Sequence, residues 1–221
     1  MIPLRDENPT RTVPFVTIAI IAVNALVFAY ELSLGEGLKD AINAFGVIPY
    51  DIAHLRNYRT LLTSLFFHGS IMHIAGNMLY LWIFGNNIED RLGHVRFLFF
   101  YLLCGLAAAF GHVVVSPGSH VPTIGASGAI SGVLGAYLLL YPRARIVTLV
   151  PLFYFIRVVR IEAKWFLLIW IGLQVLNGSM QFAMEQSAGS QGGVAWFAHI
   201  AGFFAGIMLL KLFEFGRKDY G

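Results

Sequence analysis

Gly125-Ala126-Ser127-Gly128 opens the apolar segment Ala129 to Leu140 and lies inside the longest uncharged run of the chain. From Phe97 to Pro142 there is no Lys, Arg, Asp or Glu. As one helix at about 1.5 Å per residue, that run would reach roughly 69 Å, more than twice a hydrocarbon core. The chain must therefore turn back within it, and Pro117-Gly118 and Pro122 mark where. Ser127 falls just after that turn, at the entry of the returning helix. A hydroxyl between glycines at a helix start in lipid needs a reason.

The rest of the chain sets the solvent. With 57% hydrophobic and 12% charged residues over 221 positions, it is too apolar for a soluble domain, which runs near 25% charged. It reads as an all-α polytopic membrane domain over residues 13–213, between short tails at 1–12 and 214–221. The net charge of +3 is not spread as a nucleic-acid footprint, so no nucleic-acid partner is expected. Cys104 stands alone among Leu and Gly, which leaves no disulfide framework and no cysteine metal site. The first apolar stretch follows Asp6, Glu7 and Arg11 without a small-residue cleavage site, and reads as a retained helix.

Six crossings are expected: Val13–Leu32, Gly69–Asn87, Val95–Val115, Thr123–Tyr141, Ala163–Ser179 and Ala195–Phe213. The long connection Leu34 to His68 is expected to fold back on the bilayer surface. Ile146 to Ile156, bracketed by Arg143, Arg145, Arg157 and Arg160, is too short to span and suits an interfacial or re-entrant segment. With the N-terminus inside, the inner loops and ends hold Arg5, Arg11, Arg91, Arg96, Arg143, Arg145, Arg157, Arg160, Lys164, Lys211, Arg217 and Lys218. The outer side keeps Lys39, Arg56 and Arg59. That asymmetry is a positive-inside bias with both termini inside.

Polar residues at membrane depth are expensive enough to mark function. His73 and Asn77 are four apart, on one face of the second crossing; Ser127 and Ser131 share a face of the fourth; His199 is on the sixth. All three helices run from outside to inside, so His73, Ser127 and His199 share the outer third of the bilayer. Gly128, Gly132 and Gly135 follow Ser127, and Gly202 and Gly206 follow His199 on its own face. Glycine faces let helix backbones approach closely, so the packing faces are those bearing the serine and the imidazole. A serine hydroxyl is a weak nucleophile until a base adjoins it. No acidic residue on the sixth helix is placed to orient His199, which points to a Ser–His dyad. His73 and Asn77, with the Ser127 backbone N–H, are placed to donate to an oxyanion.

These residues resemble the rhomboid family of intramembrane serine proteases. The resemblance rests on His73-x-x-x-Asn77, Gly125-x-Ser127-Gly128 and Ala198-His199-x-x-Gly202-x-x-x-Gly206, in the family's order and on its helices. Glu89-x-Arg91 matches a structural motif of the family, and His68 matches another of its histidines. The resemblance implies a six-helix bundle that cleaves transmembrane proteins near the outer face. Ser127 would be nucleophile, His199 general base, and His73 and Asn77 the oxyanion hole. The fifth crossing and a loop over Gly178 to Val194 would be a lateral gate and cap. Implied partners are transmembrane substrates entering from lipid and the lipids themselves, with no cofactor and the oligomeric state open. The sequence departs from the family at Tyr58-Arg59, in place of Trp-Arg, and at Ser131, where an aromatic often stacks on the catalytic histidine. The compartment suggested is a bacterial cytoplasmic membrane.

Each feature also has a plainer reading. A membrane serine commonly bonds its own helix backbone, and one Gly-x-x-x-Gly commonly means packing alone. Two histidines five apart without His-Glu-x-x-His do not make a zinc protease, and no Asp lies within an expected crossing for an aspartyl protease. The competing function is a catalytically silent rhomboid-like protein that binds or escorts membrane helices. A transporter would want repeats and buried carboxylates along a midplane path, which are not evident.

Overall fold

The computed structural model of the chain describes residues 1–152, 155–188 and 194–214. It is mostly helical, and four of its helices are long and apolar enough to cross a membrane. These are α1 (Phe15–Ser33), α7 (His94–Val115), the Ala163–Met184 part of α9 (Ala163–Ala188) and α10 (Trp196–Glu214). The short helices α2 (Leu38–Phe45), α3 (Pro49–Ala53) and α4 (Thr60–Thr63) occupy the long first connection. Then α5 (Ile71–Tyr80) runs through a π turn at Leu81–Gly85 into α6 (Asn86–Leu92). The helix α8 (Ser127–Leu140) is apolar but only 14 residues long.

Small residues explain how the centre packs. A Cβ on Gly202 would overlap the carbonyl oxygen of Gly128, and one on Gly206 would overlap that of Gly132. On the opposite side, a Cβ on Gly128 would come within 2.6 Å of the Ala108 methyl, and one on Gly132 would overlap Cys104 Sγ. Thus α8 lies backbone-close to α10 and is wedged against α7, which gains dispersion contacts where lipid offers no hydrophobic contrast. Gly128 to Tyr137 are all buried.

The Glu89-x-Arg91 pair ties the ends of other helices to this centre. Both Glu89 carboxylate oxygens accept first-turn N–H groups of α1, from Val16 at 2.8 Å and Thr17 at 2.7 Å. An acceptor there satisfies orphan donors and complements the helix dipole. Arg91 Nε bonds Glu214 Oε1 at 2.6 Å, fixing the end of α10.

Three expectations are corrected. The fold is not all-α: β1 (Ile2–Asp6), β2 (Arg145–Leu152) and β3 (Phe155–Glu162) form an antiparallel sheet in the order β1-β2-β3. The Ile146–Ile156 segment is therefore a strand hairpin, and part of residues 1–12 is its third strand. Ile146, Val147 and Thr148 are consecutive β-branched residues, all buried, and Ile146 and Thr148, which share one face, are fully so. Asp6 Oδ2 anchors β1 by accepting from Tyr137 Oη on α8 at 2.7 Å and from Asn87 Nδ2 on α6 at 2.8 Å. The second expected crossing, Gly69–Asn87, continues as helix to Leu92. The loop expected over Gly178 to Val194 is helical through Ala188, and residues 189–193 of it lie outside the described residues.

Candidate active site

Ser127 is the first residue of α8, and its position is set from outside the helix. Gly125 takes φ +119°, a conformation that strains any residue with a Cβ, and a Cβ there would sit 2.6 Å from His73 Nε2. The Gly125 N–H donates to Ser64 O at 2.8 Å, and Val47 and Thr123 exchange backbone hydrogen bonds at 2.9 and 2.8 Å. The connection between α1 and α5 therefore clamps the turn that presents the serine.

The structure brings Ser127 and His199 together. Ser127 Oγ lies 2.8 Å from His199 Nε2. The other ring nitrogen, Nδ1, lies 2.8 Å from Gln174 Oε1 on α9. Gln174 Nε2 donates to Trp170 O at 3.2 Å, so the amide presents its oxygen to the ring. An oxygen acceptor requires N–H at Nδ1 of a neutral imidazole, which leaves the Nε2 lone pair facing the Ser127 O–H. Two indoles bound the ring, Trp170 with centroids 6.1 Å apart and Trp196 edge-on at 6.2 Å. Ser131, at the position where the resemblance implies a stacking aromatic, donates to Ser127 O at 2.6 Å instead.

The remaining predicted residues line the same cavity, of about 690 Å³, with His73, Asn77, Ser127 and His199 all on its wall. Asn77 Nδ2 lies 2.9 Å from His68 Nε2, and His68 is fully buried with its N–H donating to Glu31 Oε1 at 2.9 Å. One Asn77 amide hydrogen is thus committed to His68. Ser70 caps α5, its Oγ accepting the His73 N–H at 3.2 Å, which fixes the turn that holds the His73 ring. Because Ser127 opens α8, its N–H belongs to a first turn without intrahelical acceptors. Gly125, Gly128, Gly202 and Gly206 lie where they allow close approach, as described above. Sequence reasoning missed Gln174, Trp170, Trp196 and Glu31. A signal existed for Gln174, a side-chain amide within an apolar span.

The Rhomboid domain model matches residues 55–214. The chain belongs to the rhomboid family. This rhomboid is 34% identical over 134 residues to "Rhomboid protease GluP" of Bacillus subtilis (strain 168), covering 61% of this chain and 25% of that one. It is 39% identical over 98 residues to "Presenilin-associated rhomboid-like protein, mitochondrial" of Homo sapiens, covering 43% of this chain and 26% of that one. With "Rhomboid protein 1, mitochondrial" of Saccharomyces cerevisiae (strain ATCC 204508 / S288c) it shares 33% identity over 95 residues, 41% of this chain and 28% of the other. The matched region of this rhomboid spans about a quarter of the length of those relatives.

Proposed function

We propose that this rhomboid is an intramembrane serine endopeptidase acting on transmembrane proteins through a Ser127–His199 dyad. The observation that carries the proposal is the 2.8 Å approach of Ser127 Oγ to His199 Nε2. In the proposed reaction Nε2 takes the hydroxyl proton as Oγ attacks the scissile carbonyl, then returns it to the leaving amine. The tetrahedral oxyanion draws hydrogen bonds from Asn77 Nδ2, His73 and the Ser127 N–H. The acyl-enzyme ester is then hydrolysed by water activated at the same nitrogen. A substrate helix hides its carbonyls in its own hydrogen bonds, so cleavage requires a segment that unwinds near the outer membrane edge.

The reading includes six crossings, with α5–α6 and α8 counted beside the four long helices, and the termini on the inner side. No cofactor and no nucleic acid take part. The bacterial cytoplasmic membrane is proposed on loop charge alone; the mitochondrial names among the relatives do not support it, and fractionation of the source cell decides.

The test uses purified full chain and a transmembrane reporter with helix-weakening residues. Cleavage is expected, and Ser127→Ala and His199→Ala should each abolish it, together with fluorophosphonate labelling of Ser127. Cleavage that survives Ser127→Ala would refute the mechanism. A folded wild-type chain that neither cleaves nor labels, yet retains the reporter helix, would leave the silent-binder function.

A further inference from the structure

We propose that the outer half of the β2–β3 hairpin is a lipid-docking surface, seated on anionic headgroups of the leaflet at the Leu140 and Ala163 ends of the helices. The proposal needs only that the chain sits in a membrane, and holds whether or not it is a protease. Register assigns the faces. Ile146 pairs with Ile161, Thr148 with Val159 and Val150 with Arg157, so these six share one side of the ribbon. At the hairpin base that side is turned against the helix ends, where Ile146 and Thr148 are fully buried. β1 reaches only as far as Leu149, which pairs with Ile2. Beyond it the ribbon has two strands, and the side that packed on the bundle continues into Arg157 and Phe155, the latter 72% exposed.

Charge and level select the occupant. Residues 143 to 164 carry five basic side chains against one acidic. Lys164 is paired with Glu162 and Arg160 with Glu7, each at 2.7 Å. Arg157, in the outer half, makes no ion pair among the described residues and is left for a phosphate, and Arg143 and Arg145 at the base make none either. Immediately after the hairpin, at the start of the long apolar helix α9, Lys164 Nζ lies 5.4 Å from the ring centroid of the exposed Trp165. Such a pair belongs at the headgroup level, so the ribbon leaves the bundle at that level. From Glu162 to Phe155 the strand extends about 23 Å, beyond the width of one helix. Phe155 beside the unpaired Arg157 guanidinium, on the side that packs against the helix ends at the hairpin base, suits anionic lipid rather than a soluble partner.

The experiment uses full chain with Cys104→Ala and a nitroxide at Phe155→Cys or Val158→Cys, in bilayers of phosphatidylcholine with or without phosphatidylglycerol. Paramagnetic relaxation by oxygen and by a nickel chelate reports depth. At position 155 the oxygen-to-chelate ratio should rise several-fold with phosphatidylglycerol, while position 158, on the opposite side, stays open to the chelate. Arg143→Gln with Arg157→Gln should remove the rise. Equal chelate access at 155 in both bilayers overturns the proposal. So does dipolar broadening that dilution with unlabelled chain abolishes, since a second copy would then be the occupant. A label at Val150→Cys, on the same side as Phe155, gives the same readout should the first variant be unstable, and unfolding midpoints check that each labelled chain is folded.

Discussion

A neutral imidazole has one nitrogen with a lone pair, so the partner of its other nitrogen decides what Ser127 meets. Gln174 makes that choice for His199 without placing a carboxylate in lipid, where an unpaired charge is costly. Replacing it with the similarly sized methionine removes the acceptor and keeps the packing. A net hydrogen bond contributes about 1 kcal/mol, so Gln174→Met should lower kcat roughly fivefold to tenfold. KM should hardly move, because Gln174 acts through the histidine and binds no substrate; a KM effect with unchanged kcat would assign it to substrate binding. Asn77→Ala should cost more, about 10²-fold in kcat, as expected for an oxyanion donor. His68→Ala should show a milder form of the same defect, because His68 Nε2 orients the Asn77 amide. Single-turnover cleavage separates these effects from binding. That Ser127, His199, His73 and Asn77 line one cavity was legible in the sequence, because glycine faces and four-residue spacings place them on defined sides of helices. The Gln174 contact to His199 was not: the two are 25 residues apart on different helices, and no spacing within α9 announces the rotation that aims the amide.

At the scale of elements, two helix faces decide whether the site exists. Gly202 and Gly206 of α10 rest on the backbone of α8, so a valine at either must push the helices apart. Gly206→Val should abolish fluorophosphonate labelling and lower the denaturation midpoint, whereas Gly172→Ala, where a Cβ meets nothing, should spare both. The sheet carries a pH signature of its own. Burial lifts the Asp6 carboxyl above its ordinary value of 3.8, outweighing its hydrogen bonds from Tyr137 and Asn87. The hydrogen bond from Arg160 holds Glu7 below its ordinary 4.5. For Asp6 the folded chain binds the proton more readily, so its contribution is present below 3.8 and lost as pH rises through the raised value. For Glu7 the contribution is present above 4.5 and lost as pH falls through the lowered value. Acidification should therefore bring a rise in the denaturation midpoint from Asp6 as pH falls toward 3.8 and a fall from Glu7 as pH drops below 4.5. Asp6→Asn should remove the rise and Glu7→Gln the fall, measured as midpoints against pH. The hairpin itself was half legible. Its apolar core is too short to span and its flanking arginines suit the membrane surface, but the strand that pairs Ile146 with Ile161 is a continuous apolar run with no period-two pattern to mark it.

For the whole molecule, the proposed six crossings turn on two segments that length and hydropathy do not mark as spans. Residues 128 to 137 of α8 are buried within the protein, so this helix meets little lipid and need not match the bilayer; its 14 residues reach about 21 Å of a core about 30 Å thick. Its start, with Ser127, then lies below one surface, where a cavity can hold water without opening the other side. The run α5–α6 is long enough, but His73 and Asn77, which line that cavity, lower its mean hydropathy. Sidedness separates six crossings from a four-crossing arrangement. If all six segments cross, Glu36 and Gly118 lie on the same side and Val95 on the other. If only the four long helices cross, Glu36 and Val95 lie together and Gly118 lies opposite. Cys104 is fully buried, which keeps the native thiol out of the measurement, and a Cβ at Gly118 meets nothing. In sealed vesicles of known orientation, an impermeant maleimide should reach Glu36→Cys and Gly118→Cys from one side, and Val95→Cys only after detergent. The reverse grouping would put Ser127 and His199 at the wrong depth for the proposed chemistry, since α8 would no longer enter the membrane from the side that supplies its water.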